Sequence, residues 1–158
     1  YTQLGYQAES GPWRNFYLTG ARDLFKKDVP YTSKLINDGV LAQMDMGTLL
    51  DYCAIQLNGE KAAGKEAVIN INFTDTKEKV MLMLNNGVLN HRLDNQDEKA
   101  DLTLEIAKMD FVKLFFGRTD LQTLLKTNKV RTTGNAQAMD VICSAYEPAD
   151  PNFKIVLP

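Results

Sequence analysis

Histidine and cysteine are nearly absent from this chain: His91, Cys53 and Cys143 are the only ones among 158 residues. Zinc hydrolases and histidine-based triads draw on several such side chains, so the counts weigh against a self-contained catalytic centre. The two cysteines lie 90 residues apart without a CxxC or CxH neighbourhood, which removes the usual metal-binding spacings. Each falls in an apolar helical pattern and reads as a small buried hydrophobe. No apolar run approaches the ~18 residues of a membrane span, and no signal peptide is visible. With 18 Lys+Arg against 20 Asp+Glu, the net charge is -2. A general nucleic-acid binder normally carries a large basic excess, which is missing here. GxGxxG, P-loop and GxSxG patterns are also missing. His91 has no obvious Ser or Cys partner and reads as a surface strand residue. The acidic residues between 94 and 110 lack the spacing and the glycine of a calcium loop, so they read as a solvated loop and strand edge.

What the chain does hold is one domain's worth of residues, 44% of them hydrophobic, enough to build a core. It starts at Tyr1 without an initiator Met, from which we expect a piece of a longer protein. Seven of its fourteen aromatics, Tyr1, Tyr6, Trp13, Phe16, Tyr17, Phe25 and Tyr31, fall in the first fifth. Ser10-Gly11-Pro12 is a helix-start signal, and Lys26-Lys27-Asp28-Val29-Pro30 a helix end. This segment carries more aromatic surface than it can bury alone, and is expected to dock on another domain or subunit. After the polar Asn37-Asp38-Gly39, Asp45 caps a helix with the stripe Met46, Leu49, Leu50, Cys53 and Leu57, which Asn58-Gly59 stops.

The period then changes to two. Ile69, Ile71 and Phe73 alternate with Asn70, Asn72 and Thr74, as in a half-buried strand. Val80–Leu84 is apolar on both faces, as in an inner strand. Asn86-Gly87 joins it by a tight hairpin to Val88–Leu93, and Leu102, Leu104 and Ile106 mark a fourth strand. These four read as an antiparallel meander. A helix at 109–116 follows, apolar over most of its circumference. Gly117 ends it, and Asp120 opens a short helix with Leu121, Leu124 and Leu125 inward. Val130–Thr133 reads as a fifth strand, and Gly134-Asn135 leads to a last helix with Met139, Ile142, Cys143 and Tyr146. Residues 153–157 read as an edge strand or tail. The fold class is therefore α+β: a sandwich of a five-stranded, mostly antiparallel sheet with helices on one face, preceded by an N-terminal helical segment. Residues 1–39 form that segment and a linker, and residues 40–158 the sandwich domain.

The apolar excess is where a binding function would sit. The wide face of the 109–116 helix, the Met81/Met83 face of the inner strand and the Met139/Ile142 stripe either enclose a pocket or simply fill the core. Methionine suits a cavity that accepts varied chains, because its side chain is flexible and polarisable. Between residues 113 and 131 five cations (Lys113, Arg118, Lys126, Lys129, Arg131) meet one anion, Asp120. Such a rim beside an apolar cleft suits an amphiphile with an anionic head.

The run Ala100-Asp101-Leu102-Thr103-Leu104-Glu105-Ile106, then Asp110-Phe111-Val112-Lys113-Leu114 and Gly117, then Gly134-Asn135-Ala136-Gln137-Ala138-Met139, closely resembles the sterol carrier protein (non-specific lipid-transfer) family. The N-terminal run from Leu4 through Gly11-Pro12-Trp13 to Ala21 resembles the end of the helical dimerisation region of bacterial-type alkyl sulfatases. Those enzymes join a zinc metallo-β-lactamase-like domain, that helical region and a C-terminal sterol-carrier-like domain. The resemblance implies a hydrolase parent that cleaves long-chain alkyl sulfate esters at a two-zinc centre, with its metal motif in the first domain. No residue of this chain matches that motif, so the expectation is no catalytic residue and no cofactor here. The role implied for this chain is to bind the aliphatic tail of alkyl sulfates or lipids. Met81, Met83, Phe111, Val112, Phe115, Phe116, Leu121, Leu125 and Met139 are the candidate lining, and Lys113 and Arg118 the headgroup rim. The implied partners are a long-chain ligand, the rest of the parent enzyme and a second copy in a homodimer, with no nucleic acid. Two other readings stay open: a packing or dimerisation module with a filled core, and a stand-alone lipid-transfer protein.

Overall fold

The computed structural model describes residues 1–25 and 37–148, which fall into two compact units at those limits. The expected helix end at Lys26–Pro30 and the edge strand at 153–157 lie outside the described residues. In the first unit, α1 (Thr2–Gln7) and α2 (Gly11–Phe25) form a helical hairpin. Gly5 permits its close approach, since a Cβ there would stand 2.7 Å from Leu18 Cδ2. Trp13, Phe16, Leu24 and Phe25 remain largely exposed along α2. Among the described residues no helix is long and apolar enough to cross a membrane.

The second unit is the α+β sandwich expected from the sequence. Three helices, α3 (Asp38–Gln43), α4 (Met46–Ile55) and α5 (Gly59–Ala62), precede β1 (Ala67–Phe73), β2 (Lys79–Asn85), β3 (Val88–Leu93) and β4 (Leu102–Ile106). Then come α6 (Lys108–Phe115), α7 (Leu121–Lys126), β5 (Val130–Gly134) and α8 (Gln137–Cys143). The Asp45 side chain accepts from the Thr48 N–H at 2.9 Å and Asp120 from Thr123 at 2.8 Å, so both predicted caps form. The Thr48 N–H and hydroxyl at Asp45, and the Thr123 hydroxyl and N–H at Asp120, hold the two carboxyls below the usual carboxylate range. Asn86 and Gly87 take φ of 52° and 75°, the twisted turn that matches the β2–β3 hairpin. Asn58 behaves otherwise than expected: it does not end a helix in the left-handed region but caps α5, accepting from Glu60 and Lys61.

The strand order is β3-β2-β1-β4-β5, and here the meander expectation is corrected. β4 does not pair with β3 but runs parallel to β1, with Ile69 opposite Leu102 and Ile71 opposite Leu104. The chain must therefore cross the sheet between Leu93 and Leu102. Asn70 fixes the crossing: its amide donates to the Asp97 carbonyl at 2.7 Å and accepts from the Asp97 N–H at 3.0 Å. Gln96 donates to Asn72 at 2.7 Å beside it. The acidic stretch is thus part of the scaffold rather than only a solvated edge. Asp101 ends the crossing, accepting from the Val68 N–H through its side chain and from the Asn135 N–H through its carbonyl.

Alternation then sorts the sheet. Ile69, Ile71, Phe73, Val80, Leu82, Leu84, Leu102, Leu104 and Ile106 face the helices and form the core with Leu49, Leu50, Phe111, Phe115, Met139 and Ile142. The opposite face carries Asn70 and Met81 under the crossing segment. Gly134 closes the junction of β5 with β4: its φ is +102°, and a Cβ would lie 2.4 Å from the Asp101 carbonyl oxygen. Gly117 has φ +66° but open space around it. Urea unfolding of Gly134→Ala should therefore show a loss of ~3 kcal/mol or more, against ~1–2 kcal/mol for Gly117→Ala. Equal losses in the two variants would contradict the tight Asp101 junction.

Candidate functional site

The predicted lining residues do not all come together. Phe111, Val112 and Phe115 on α6 and Met139 on α8 have no exposed surface and sit within the core. Leu121 is buried on α7 and Leu125 packs partly buried against the same core. Met81 and Met83 lie on the other side of the sheet, because they alternate with Val80, Leu82 and Leu84. Met83 lines an open groove of about 610 Å³ with Glu66, Val68, Asn90, Arg92 and Asp101. Met81 borders a neighbouring hollow with Arg92 and the crossing segment. Carboxylates and a guanidinium in those walls keep their water, so an alkyl chain gains little there.

Phe116 and Arg118 belong to a different place. The peptide that leaves α6 carries Phe116 just past its end, and Gly117 at φ +66° turns Arg118 back toward α3. These two, with Leu41 of α3, Tyr52 of α4 and Tyr146 after α8, line a crevice of about 100 Å³. The isolated bridge Leu57–Tyr146 holds the ends of α4 and α8 together and so fixes the tyrosine pair. Phe116 packs edge to face on Tyr146 and on Phe115, each at 5.3 Å, and stands tilted 5.7 Å from Tyr52. Phe115 continues to Phe111 at 6.1 Å and Phe111 to Phe73 at 5.7 Å, so rings run unbroken from the sheet to the crevice. Such pairs each contribute ~0.5–1.5 kcal/mol beyond area burial. Burial pushes the Tyr146 phenol up and the neighbouring Tyr52 adds to this, while Arg118 opposes it. Apart from Leu41 and Arg118, the crevice wall is made of aromatic rings.

Arg118 is the charge at this wall, paired through Nη1 with the Asp38 carboxylate of α3. Lys113 lies half-buried on α6 and does not line the crevice. The sequence reading missed Leu41, Tyr52 and Tyr146 as wall residues and Asp38 as the partner of Arg118. Three separate segments, α3, α4 and the stretch after α8, supply them, and no spacing along the chain signals that meeting. His91 differs from the surface reading: it faces α4, its Nδ1 lies 3.7 Å from Asp51, and its side chain is 19% exposed.

Among the described residues no group of three or more His, Cys, Asp or Glu side chains is placed to hold a metal ion. Of the two thiols, Cys53 is buried and Cys143 half-buried. Burial pushes Cys53 and Cys143 up to about 12, with Cys143 adding to the first and Asp140 to the second. A disulfide-exchange chromophore at pH 8 should therefore leave both thiols of the folded chain unmodified and titrate two per chain after denaturation. Rapid reaction of the folded chain would contradict this burial.

Comparison with known proteins bears on the whole chain. Residues 34–158 match the family described as alkyl sulfatase C-terminal. Over 158 residues the chain is 37% identical to a linear primary-alkylsulfatase of Pseudomonas sp, covering 99% of this chain and 23% of that protein. It is 33% identical over 162 residues to an (R)-specific secondary-alkylsulfatase, also of Pseudomonas sp, with 99% and 23% covered. Among solved structures, the stereoselective inverting sec-alkylsulfatase Pisa1 from Pseudomonas sp. is similar with a TM-score of 0.84 and 32% identity, over 98% of this chain and 24% of that one. The chain thus spans about a quarter of the length of the relatives it matches. With a family match over 34–158 and a shared fold along nearly its full length, this chain belongs to the alkyl sulfatase C-terminal family.

Proposed function

We propose that this chain is the substrate-recruiting part of a longer alkyl sulfatase, and that the crevice beyond α6 receives the aliphatic tail of an alkyl sulfate or similar lipid. The observation that carries this reading is the pairing of a wall of aromatic rings with the guanidinium of Arg118. Tail binding needs no directed polar contact, because each methylene moved from water into apolar surroundings contributes ~0.8 kcal/mol. Arg118 supplies what the rings do not, a cation at hydrogen-bonding range of an anionic head. The hydrolysis itself, and any zinc it uses, belongs in this reading to parts of the parent outside this chain. The exposed aromatic face of α2 supports docking on those parts or on a second copy in a homodimer.

A packing module with a filled core is the second reading, and the full burial of Phe111, Phe115 and Met139 favours it. The two readings part on chain length. In calorimetric titrations below micelle concentrations, affinity for n-alkyl sulfates should rise by about fourfold per added methylene until the tail outgrows the site. Phe116→Asp should abolish that dependence, since it places a carboxylate against the tail. Heats that never saturate, or an affinity indifferent to chain length, would leave only the packing module.

A further inference from the structure

A crevice of about 100 Å³ holds roughly three waters, too little for a long alkyl chain, so a wall must move if the crevice is to bind one. The walls differ in how they are held. Tyr52 stands on α4, which buries Met46, Leu49, Leu50 and Cys53. Phe116 directly follows α6, and Tyr146 is bridged to Leu57. In contrast, α3 buries only Leu41. The polar ties of α3 are unequal at its two ends. At its C-terminal end the ammonium of Lys108, itself 8% exposed, donates to the Ala42 carbonyl at 3.1 Å and to the Met44 carbonyl. A cation there also suits the helix dipole. At its N-terminal end the tie among the described residues is the Arg118–Asp38 pair, with side chains 46% and 57% exposed. A buried ammonium is costly to strip of its acceptors, whereas an exposed ion pair contributes little.

We propose that α3 is a lid hinged at Lys108 and latched by Asp38 on Arg118, and that an anionic amphiphile opens it by taking Arg118 from Asp38. This rests on the crevice being the tail site. The acidic head replaces one carboxylate by another anion on the same guanidinium, so the latch is released without leaving a bare charge. The tail then takes the place of Leu41 against Phe116, Tyr52 and Tyr146, which offsets the burial that Leu41 loses. Asp38 is in this account an internal competitor for the head, and neutral amphiphiles meet a closed lid.

Decyl sulfate and 1-decanol, which share a tail and differ in charge, test this by calorimetry on the 158-residue chain. Arg118→Gln breaks the latch and removes the head contact together. It should weaken decyl sulfate about tenfold and tighten 1-decanol about two- to fivefold. Asp38→Asn breaks the latch alone and should tighten both. A decanol affinity that Arg118→Gln leaves unchanged or weakens overturns the latch. Hydrogen exchange on the ligand-free chain separates this from failure of the tail site. Both substitutions should speed exchange of the Leu41 and Met44 amides and leave the Phe111 and Phe116 amides unchanged. If neither amphiphile binds any variant, the tail site and the opening by an anion both fall. If α3 exchange is unmoved, the latch falls whatever binds.

Discussion

The burial of α6 around most of its circumference is the constraint from which the rest of this domain follows. Phe111, Val112 and Phe115 are fully enclosed and Leu114 nearly so, and each such side chain contributes ~1.5–3 kcal/mol when removed from water. One layer cannot cover a helix that is apolar over most of its circumference. The sheet takes one flank through Phe73 and Phe111, whose rings meet at 87°. Leu41, Tyr52 and the α8 residues take the other. The ring series that begins at Phe73 runs out at Phe116, where the helix has ended and its covering is incomplete. The crevice is that incompleteness.

The sheet depends on a second, polar arrangement. Two inner strands with the same apolar face do not by themselves decide which neighbour each takes. The choice is made by the segment crossing from Leu93 to Leu102, which Asn70 grips by both polar atoms of its amide. Asp101 then sets β4 beside β1 and, with Gly134, closes the β5 edge at a distance that no side chain allows. A buried asparagine and one glycine therefore turn a possible meander into a mixed sheet. The consequence for function is direct, because β4 leads straight into α6 and fixes where its far end points.

These two arrangements explain what was legible in the sequence. Local rules worked where local residues decide: the alternation of Ile69, Ile71 and Phe73, the Asn86-Gly87 turn, the caps at Asp45 and Asp120, and the breadth of the α6 apolar face. The resemblance carried by the run from Leu4 through Gly11-Pro12-Trp13 to Ala21 pointed to the alkyl sulfatases, the family that the comparisons show. Pairing of β4 with β1 was not legible, since it rests on contacts between Asn70 and Asp97 that no period encodes. Six residues with a single buried leucine gave α3 no readable stripe. Met81 and Met83 were assigned to a pocket by residue type, although the strand's own alternation sets them on the far face from Phe111. The crevice was half visible, through Phe116 and Arg118, while its tyrosines come from positions 52 and 146.

The proposed binding mode puts an alkyl tail beside Phe116 and not in the larger groove behind the sheet. Intermolecular nuclear Overhauser effects between decyl sulfate and the chain measure this most directly. Contacts are expected from the tail methylenes to the rings of Tyr52, Phe116 and Tyr146, with the head near Arg118. Contacts confined to Val68, Met83 and Asn90, across the sheet from α6, would contradict it.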